Sequence, residues 1–393
     1  METLDEAEQS MTAYKKANIS IPTEIIEDIF SRLPVKSILR FRSLSKPWLS
    51  RLSSPSFIKL FPHRTALFIS AYDKSTRKRH FLSASHDGGS VTHVMTLDDV
   101  DSDDTTEAQH LNGLVCFACV KLRSGYYDAQ VFVVNPSTHK VFKLPQLDSD
   151  FSKYPLQKGC YLFGFDESKN EHKILIIRKS SHIMEIMIYS MLNYSWRKIY
   201  LEPPVGFEYW DSLAFENDYD FYNNACVNSV VHLMLIDTHD ILGFDLRTEK
   251  FTVINTPQGV KPHEFDDYVN VPFMIKVNGC IGVVCHDLVL ENNEISIWTL
   301  QDYENRVWVK ETITFPKSFI ELGEPLPIES VNTDEVIFFA FKFSQNIEKR
   351  VSIYNKKSKC FIDLQFTLGH QIPLSTTVEV KQIGYYVESM VPL

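Results

Sequence analysis

The chain has 393 residues, with 40 Lys plus Arg against 50 Asp plus Glu and a net charge of −10. That balance argues against a dedicated nucleic-acid binder and against adhesion to anionic membrane surfaces. Hydrophobic residues reach 44% and aromatics 12%, with 27 Phe and 17 Tyr, which suits a strand-rich fold with a large core of its own.

Residues 1–18 are polar and acidic, without periodicity, and read as a disordered leader. They contain no apolar signal segment. No run approaches the ~18 apolar residues of a membrane span; the densest, Val336-Ile-Phe-Phe-Ala-Phe341, stops at Lys342. Seven scattered Cys without a secretory signal read as reduced thiols, which points to the cytoplasm or nucleus.

Residues 19–63 form a separate unit of three short helices. Pro22 stands near the first helical position, and Glu24, Glu27 and Asp28 occupy the favourable end of the helix dipole. Ile25, Ile26, Ile29, Phe30 and Leu33 make an apolar stripe that Pro34 ends. Ile38, Leu39 and Phe41 form a second stripe, and Ser45 caps a third helix carrying Trp48, Leu49 and Leu52. About forty residues cannot bury this much apolar surface on themselves, so a partner surface is expected. From Ile29 to Tyr72 there are eight Lys or Arg and no Asp or Glu, which reads either as solvated helix faces or as a basic face meeting an acidic protein.

Residues 64–393 read as strands. An apolar strand, a polar turn and a strand opening with Lys, Arg or Trp recur at Val131–Pro145, Ile188–Ile199, Ile241–Ile254, Ile295–Ile313 and Val351–Ile362. Taking Val134, Tyr189, Phe244, Trp298 and Tyr354 as equivalent, the spacings are 55, 55, 54 and 56. A strand repeat of that length means propeller blades, about six of them in ~320 residues. A sixth, divergent hairpin fits Ala66–Ser83, and the last strand, Val378–Val387, is expected to pair into the first blade. The fold class is therefore mainly β: an irregular propeller of about six blades behind a small three-helix unit.

Motifs with chemistry are scarce. GxxxxGK[ST], GxGxxG, GxSxG and HExxH are absent. Cys116 and Cys119 form a CxxC, but on a strand they face opposite sides of the sheet, which suits neither a metal nor a disulfide. The acidic run Asp98–Asp104 fails the calcium-loop pattern at its sixth and twelfth positions. Cys285-His286-Asp287 reads as a buried Cys beside an exposed His, and Arg77-Lys-Arg79 as a charged hairpin turn. No catalytic residue, cofactor or metal is assigned. Two aromatic, acidic segments read either as binding anchors or as aromatic packing between blades: Phe207, Tyr209 and Trp210, then Tyr219, Phe221 and Tyr222.

The segment Ile21-Pro22 through Leu33-Pro34-Val35-Lys-Ser, Arg40-Phe-Arg42 and Ser45-Lys-Pro-Trp48 resembles an F-box. The rest is similar to the F-box-associated, kelch-like propeller domain of plant F-box proteins, through strings such as Leu111-Asn-Gly-Leu-Val115, Asn135-Pro-Ser-Thr138, Phe163-Gly-Phe-Asp166 and Phe244-Asp-Leu-Arg-Thr-Glu-Lys-Phe251. One departure is Asn228-Ser229, where the resembled pattern reads Asn-Gly. The resemblance implies a non-catalytic substrate receptor of an SCF ubiquitin ligase. Its F-box would dock on a Skp-family adaptor, and through it on cullin and RING subunits, while the propeller holds a target protein. The implied adaptor contacts are Ile21, Pro22, Ile25, Ile29, Leu33, Pro34, Val35, Leu39, Leu44 and Trp48. Two other readings stay open: an F-box scaffold or inhibitor outside a ligase, and a propeller enzyme, which requires a carboxylate cluster in the central channel.

Overall fold

Three short helices open the chain: α1 (Thr23–Ser31), α2 (Val35–Arg42) and α3 (Lys46–Leu52). The computed structural model describes residues 21–33, 35–54, 56–57, 64–98, 108–123, 126–146, 160–180, 183–202, 224–235, 239–260, 272–286, 289–332, 334–340, 351–368, 378–391 and 393. The expected leader, residues 1–18, lies outside them. The chain divides into two units, 1–63 and 64–393.

In the second unit, strands assemble into six antiparallel blades. The first contains β1 (Thr65–Asp73), β2 (Lys78–Ser85) and β3 (Gly88–Leu97). The second runs β4 (Gln109–Leu111), β5 (Leu114–Arg123), β6 (Tyr126–Asn135) and β7 (Lys140–Lys143). The third runs β8 (Cys160–Asp166), β9 (Glu171–Ser180), β10 (Ile183–Ser190) and β11 (Ser195–Leu201). The fourth runs β12 (Asn224–Val227), β13 (Val230–Met234), β14 (Ile241–Asp245) and β15 (Lys250–Ile254). The fifth runs β16 (Phe273–Val277), β17 (Cys280–Cys285), the short helix α4 (Val289–Asn292), β18 (Glu294–Asp302) and β19 (Val307–Thr314). The sixth runs β20 (Pro325–Asn332), β21 (Glu335–Ala340), β22 (Val351–Asn355) and β23 (Cys360–Leu364). A short β24 (Phe366–Leu368) runs parallel to β3 at the outer edge of blade one.

The ring closes as the sequence predicts. The C-terminal β25 (Val378–Val387) pairs antiparallel with β1, from Thr65 opposite Val387 to Asp73 opposite Val378. It takes the innermost place in blade one, and it neighbours β20 of blade six and β4 of blade two. Blades five and six are joined by a parallel pairing of Lys276 with Glu329 on their innermost strands.

Six buried clusters fill the six interfaces between neighbouring blades. Each second strand is buried on both faces, which explains its continuous apolar run. In β21, Val336 and Phe338 face blade five, whereas Ile337 and Phe339 face blade one. Cys116 and Cys119 divide in the same way, facing blades three and one, so the CxxC does not meet as a pair. Outer strands such as β11 and β23 remain largely exposed.

The repeating hairpins share one turn chemistry. Asn135, Asp245, Asp302 and Asn355 each use Oδ1 to accept from the N–H groups two and three residues on. The fourth turn residue then sits at positive φ, as in His139, Glu249, Arg306 and Lys359, with φ between 54° and 58°. In blade three Ser190 substitutes its hydroxyl, accepting from Asn193 N–H at 2.9 Å. The divergent hairpin of blade one, β1–β2, has the same turn, with Asp73 and Arg77 in these roles. It lies one strand nearer the axis than the other five, because β25 supplies the inner strand. Arg77 is thus a turn residue, and Arg79 is buried, donating to Ser70 Oγ at 3.1 Å.

Candidate protein-docking surface

The helical unit buries a small core and leaves much apolar surface uncovered. Pro22 is the N-cap of α1, with φ −49° and ψ 141° and no side-chain cap, so its missing N–H is harmless there. The Asp28 carboxylate pairs with Arg32 one turn later. Ser45 caps α3 by accepting from Trp48 N–H, as expected. Inside, Phe30 packs on Phe41 at 4.8 Å and edge-on to Trp48 at 5.0 Å, which ties the three helices together. Val35, Ile38, Leu52 and Phe57 are fully buried.

The expected contact residues separate into two groups. Ile21, Ile25 and Ile29 repeat every four residues and remain 51%, 51% and 49% exposed, and Leu44 is 69% exposed. Pro22 is also exposed, and Leu33, Leu39 and Trp48 are half-buried. Val35, at 1% exposure, belongs to the core in this chain: it opens α2 with its side chain turned inward. Pro34 lies outside the described residues. A further exposed apolar side chain is Leu49, 49% exposed and absent from the sequence-based set. Its helical spacing from the buried Leu52 makes it look like core. Half-exposed large apolar side chains at this density make this face a candidate docking surface.

The aromatic anchors Phe207, Tyr209, Trp210, Tyr219, Phe221 and Tyr222 lie outside the described residues.

The propeller's central channel is a second candidate. Residues of all six innermost strands line a cavity of about 100 Å³. Gln382 of β25 holds Ala108 through both its backbone N–H and C=O, at 2.8 and 2.9 Å. Gln109 of β4 donates to Tyr161 O at 2.5 Å and accepts from Phe163 N–H at 2.7 Å. These amides staple neighbouring blades. Among the described lining residues Glu329 is the one carboxylate; the enzyme reading asks for a cluster. Burial pushes it up to about 7, partly opposed by Lys276 and by a hydrogen bond from the Tyr385 backbone. His110 lies against Gly384, where a Cβ would come within 2.6 Å of the ring. Burial holds His110 at about 3, and neither ring nitrogen has a partner among the described residues.

Away from the channel, one buried charged pair is structural. Lys173 and Asp166 form a buried pair at 2.7 Å, and Lys173 also donates to Leu246 O. Burial alone would raise the Asp166 carboxyl, but hydrogen bonds from Lys173 and Ser168 hold it at about 2. His286 is buried against Phe273, not exposed as the sequence reading has it, because it follows directly on the inter-blade strand β17. Among the described residues, no group of three His, Cys, Asp or Glu is arranged to hold a metal, and no helix is long and apolar enough to cross a membrane.

A family model described as the F-box associated beta propeller domain matches residues 65–375, and an F-box domain model matches residues 19–60. The chain belongs to the plant F-box proteins with an F-box associated beta propeller domain. Among relatives of this F-box protein, F-box protein At3g57590 of Arabidopsis thaliana is 26% identical, over 82% of this chain and 79% of the relative. F-box protein At5g18160, also of Arabidopsis thaliana, is 26% identical over 78% of this chain and 75% of its own length. Among solved structures, TolB from Acinetobacter baumannii is similar at a TM-score of 0.45 and 10% identity, over 82% of this chain and 66% of that one.

Proposed function

We propose that this protein is the substrate-recognition subunit of an SCF ubiquitin ligase, working in the cytoplasm or nucleus. The F-box docks on a Skp-family adaptor, which links it to cullin and RING subunits, and the propeller holds a target protein. The observation that carries this reading is the row Ile21, Ile25 and Ile29, half uncovered on a unit that already has its own core. Pro22, Leu33, Pro34, Leu39, Leu44 and Trp48 are the other proposed adaptor contacts, and Val35, buried at the start of α2, supports them through the core. Such a subunit performs no bond chemistry. It raises the effective concentration of target lysines near the charged ubiquitin carrier. The aromatic segments around Trp210 and Phe221 are the proposed target contacts.

The test is co-expression with a Skp-family adaptor followed by capture, comparing wild type with the double variant Ile25→Asp, Ile29→Asp. Stable capture by wild type and loss in the variant, with an unchanged propeller melting transition, support the reading. Well-folded wild-type protein that captures no adaptor overturns it.

A further inference from the structure

The inner wall of the channel uses its polar groups unevenly. On the side of blades one to three the amides are committed: Gln382 and Gln109 spend them on neighbouring backbones, and the His110 ring is packed against Gly384. On the side of blades four to six, Asn224 of β12, Lys276 of β16 and Glu329 of β20 line the same cavity. Lys276 and Glu329 are register partners on adjacent parallel strands, so their side chains project to the same side. Among the described residues the Asn224 amide makes no hydrogen bond, the Lys276 ammonium acts on Glu329 through its charge without a salt bridge, and Glu329 is held through one backbone donor, Tyr385. All three residues are partly exposed where they line the cavity, and water or a ligand can partner them there.

We infer that the channel is a binding site for a small hydroxycarboxylate monoanion. Its carboxylate sits on Lys276 and Asn224, and its hydroxyl meets the free oxygen of Glu329. One cation with one amide selects a single carboxylate. A second carboxylate on the ligand would face Glu329, which disfavours dianions. The cavity of about 100 Å³ is small for a ligand site; at ~15 Å³ per water-sized centre it holds about six or seven non-hydrogen atoms. A two- or three-carbon hydroxy acid has that size. The site is independent of adaptor docking, which uses a different unit of the chain.

The experiment titrates sodium lactate, and in parallel sodium chloride at matched ionic strength, into the full-length protein, followed by calorimetry and thermal melting. Lys276→Met keeps the apolar stem and removes the charge; Asn224→Ala is the second variant. The expected result is saturable one-to-one binding of lactate with a rise in melting temperature that chloride does not give. Affinity should fall at least about tenfold in each folded variant. Absence of saturable binding by wild type up to about 50 mM overturns the inference whatever the variants do. Equal binding by wild type and either folded variant also overturns it.

Discussion

Replacing Ile25 and Ile29 together by Ala separates docking from folding. Each side chain loses three carbons, worth about 0.8 kcal/mol apiece when fully covered. The two residues are 51% and 49% exposed, so about half of that, roughly 1.2 kcal/mol each, is left for a partner to collect. Together they supply about 2.4 kcal/mol, which is about a 50-fold loss in Kd. The covered half is lost from folding, but Ala is the better helix former by a few tenths of a kcal/mol per site, so the net folding cost is about 1–2 kcal/mol. Ile38→Ala is the opposite case. It is fully buried, and truncation costs roughly 2–5 kcal/mol of folding with no exposed area to lose. The assay is calorimetric titration of purified Skp-family adaptor into each full-length variant, alongside circular dichroism of the helical signal. A Kd within threefold of wild type for the folded double variant would refute the assignment of this face.

Other consequences follow from the same physical picture. Asn135 is fully buried and uses all its capacity: Oδ1 accepts from Ser137 and Thr138, and Nδ2 donates to Ser389 O and Val391 O. Asn135→Asp turns two donors into an oxygen facing two carbonyls, so a loss above about 3 kcal/mol is expected in urea unfolding. Ser229, at φ 62°, holds Glu167 N–H through its hydroxyl at 2.9 Å. Ser229→Gly should be near neutral, because about 1 kcal/mol of left-handed strain offsets a hydrogen bond of similar worth. Ser229→Ala keeps the strain and should cost about 1–3 kcal/mol in the same measurement. Burial holds His110 at about 3 and His172 and His232 at about 4, below the ordinary 6.5. As the pH falls from 6.5 to 4.5 the unfolded chain therefore comes to bind up to three protons that the folded chain largely refuses. Glu329, raised to about 7, binds one proton in the folded state that the unfolded chain has lost. From these four groups the balance near the middle of the window is about two protons, so stability should fall on acidification, by roughly 2–3 kcal/mol per pH unit there. Melting temperatures that stay flat from pH 6.5 to 4.5 would contradict it.

The propeller was legible because its signal is local and repeated. Each hairpin carries a turn residue that caps its own backbone, between strands whose apolar runs identify inter-blade layers. The place of the β1–β2 hairpin was not legible, since its offset depends on a strand from the other end of the chain. Lys276 and Glu329 carried no sequence signal either. Each is an isolated polar residue in an ordinary strand, and only the pairing of β16 with β20 puts them together. In the helical unit the stripe showed that surplus apolar surface exists. It did not separate Ile25 and Ile29 from Phe30 and Val35, because that division depends on how three helices cross.

Pairing Thr65 with Val387 also sets a timetable for biogenesis. β1 emerges from the ribosome early and waits for its inner partner through almost the whole of synthesis, roughly 15–60 s at ordinary elongation rates. Throughout that interval a nine-residue strand, almost wholly buried in the finished ring, offers an unpaired apolar edge to the crowded cell. The tail beyond β25 then locks over blade two: Ser389 packs where Gly113 leaves no room for even a methyl group. A premature stop that removes only the final strand would leave six blades' worth of chain with no way to close. Such a product should be cleared by quality control far faster than one cut within an exposed turn.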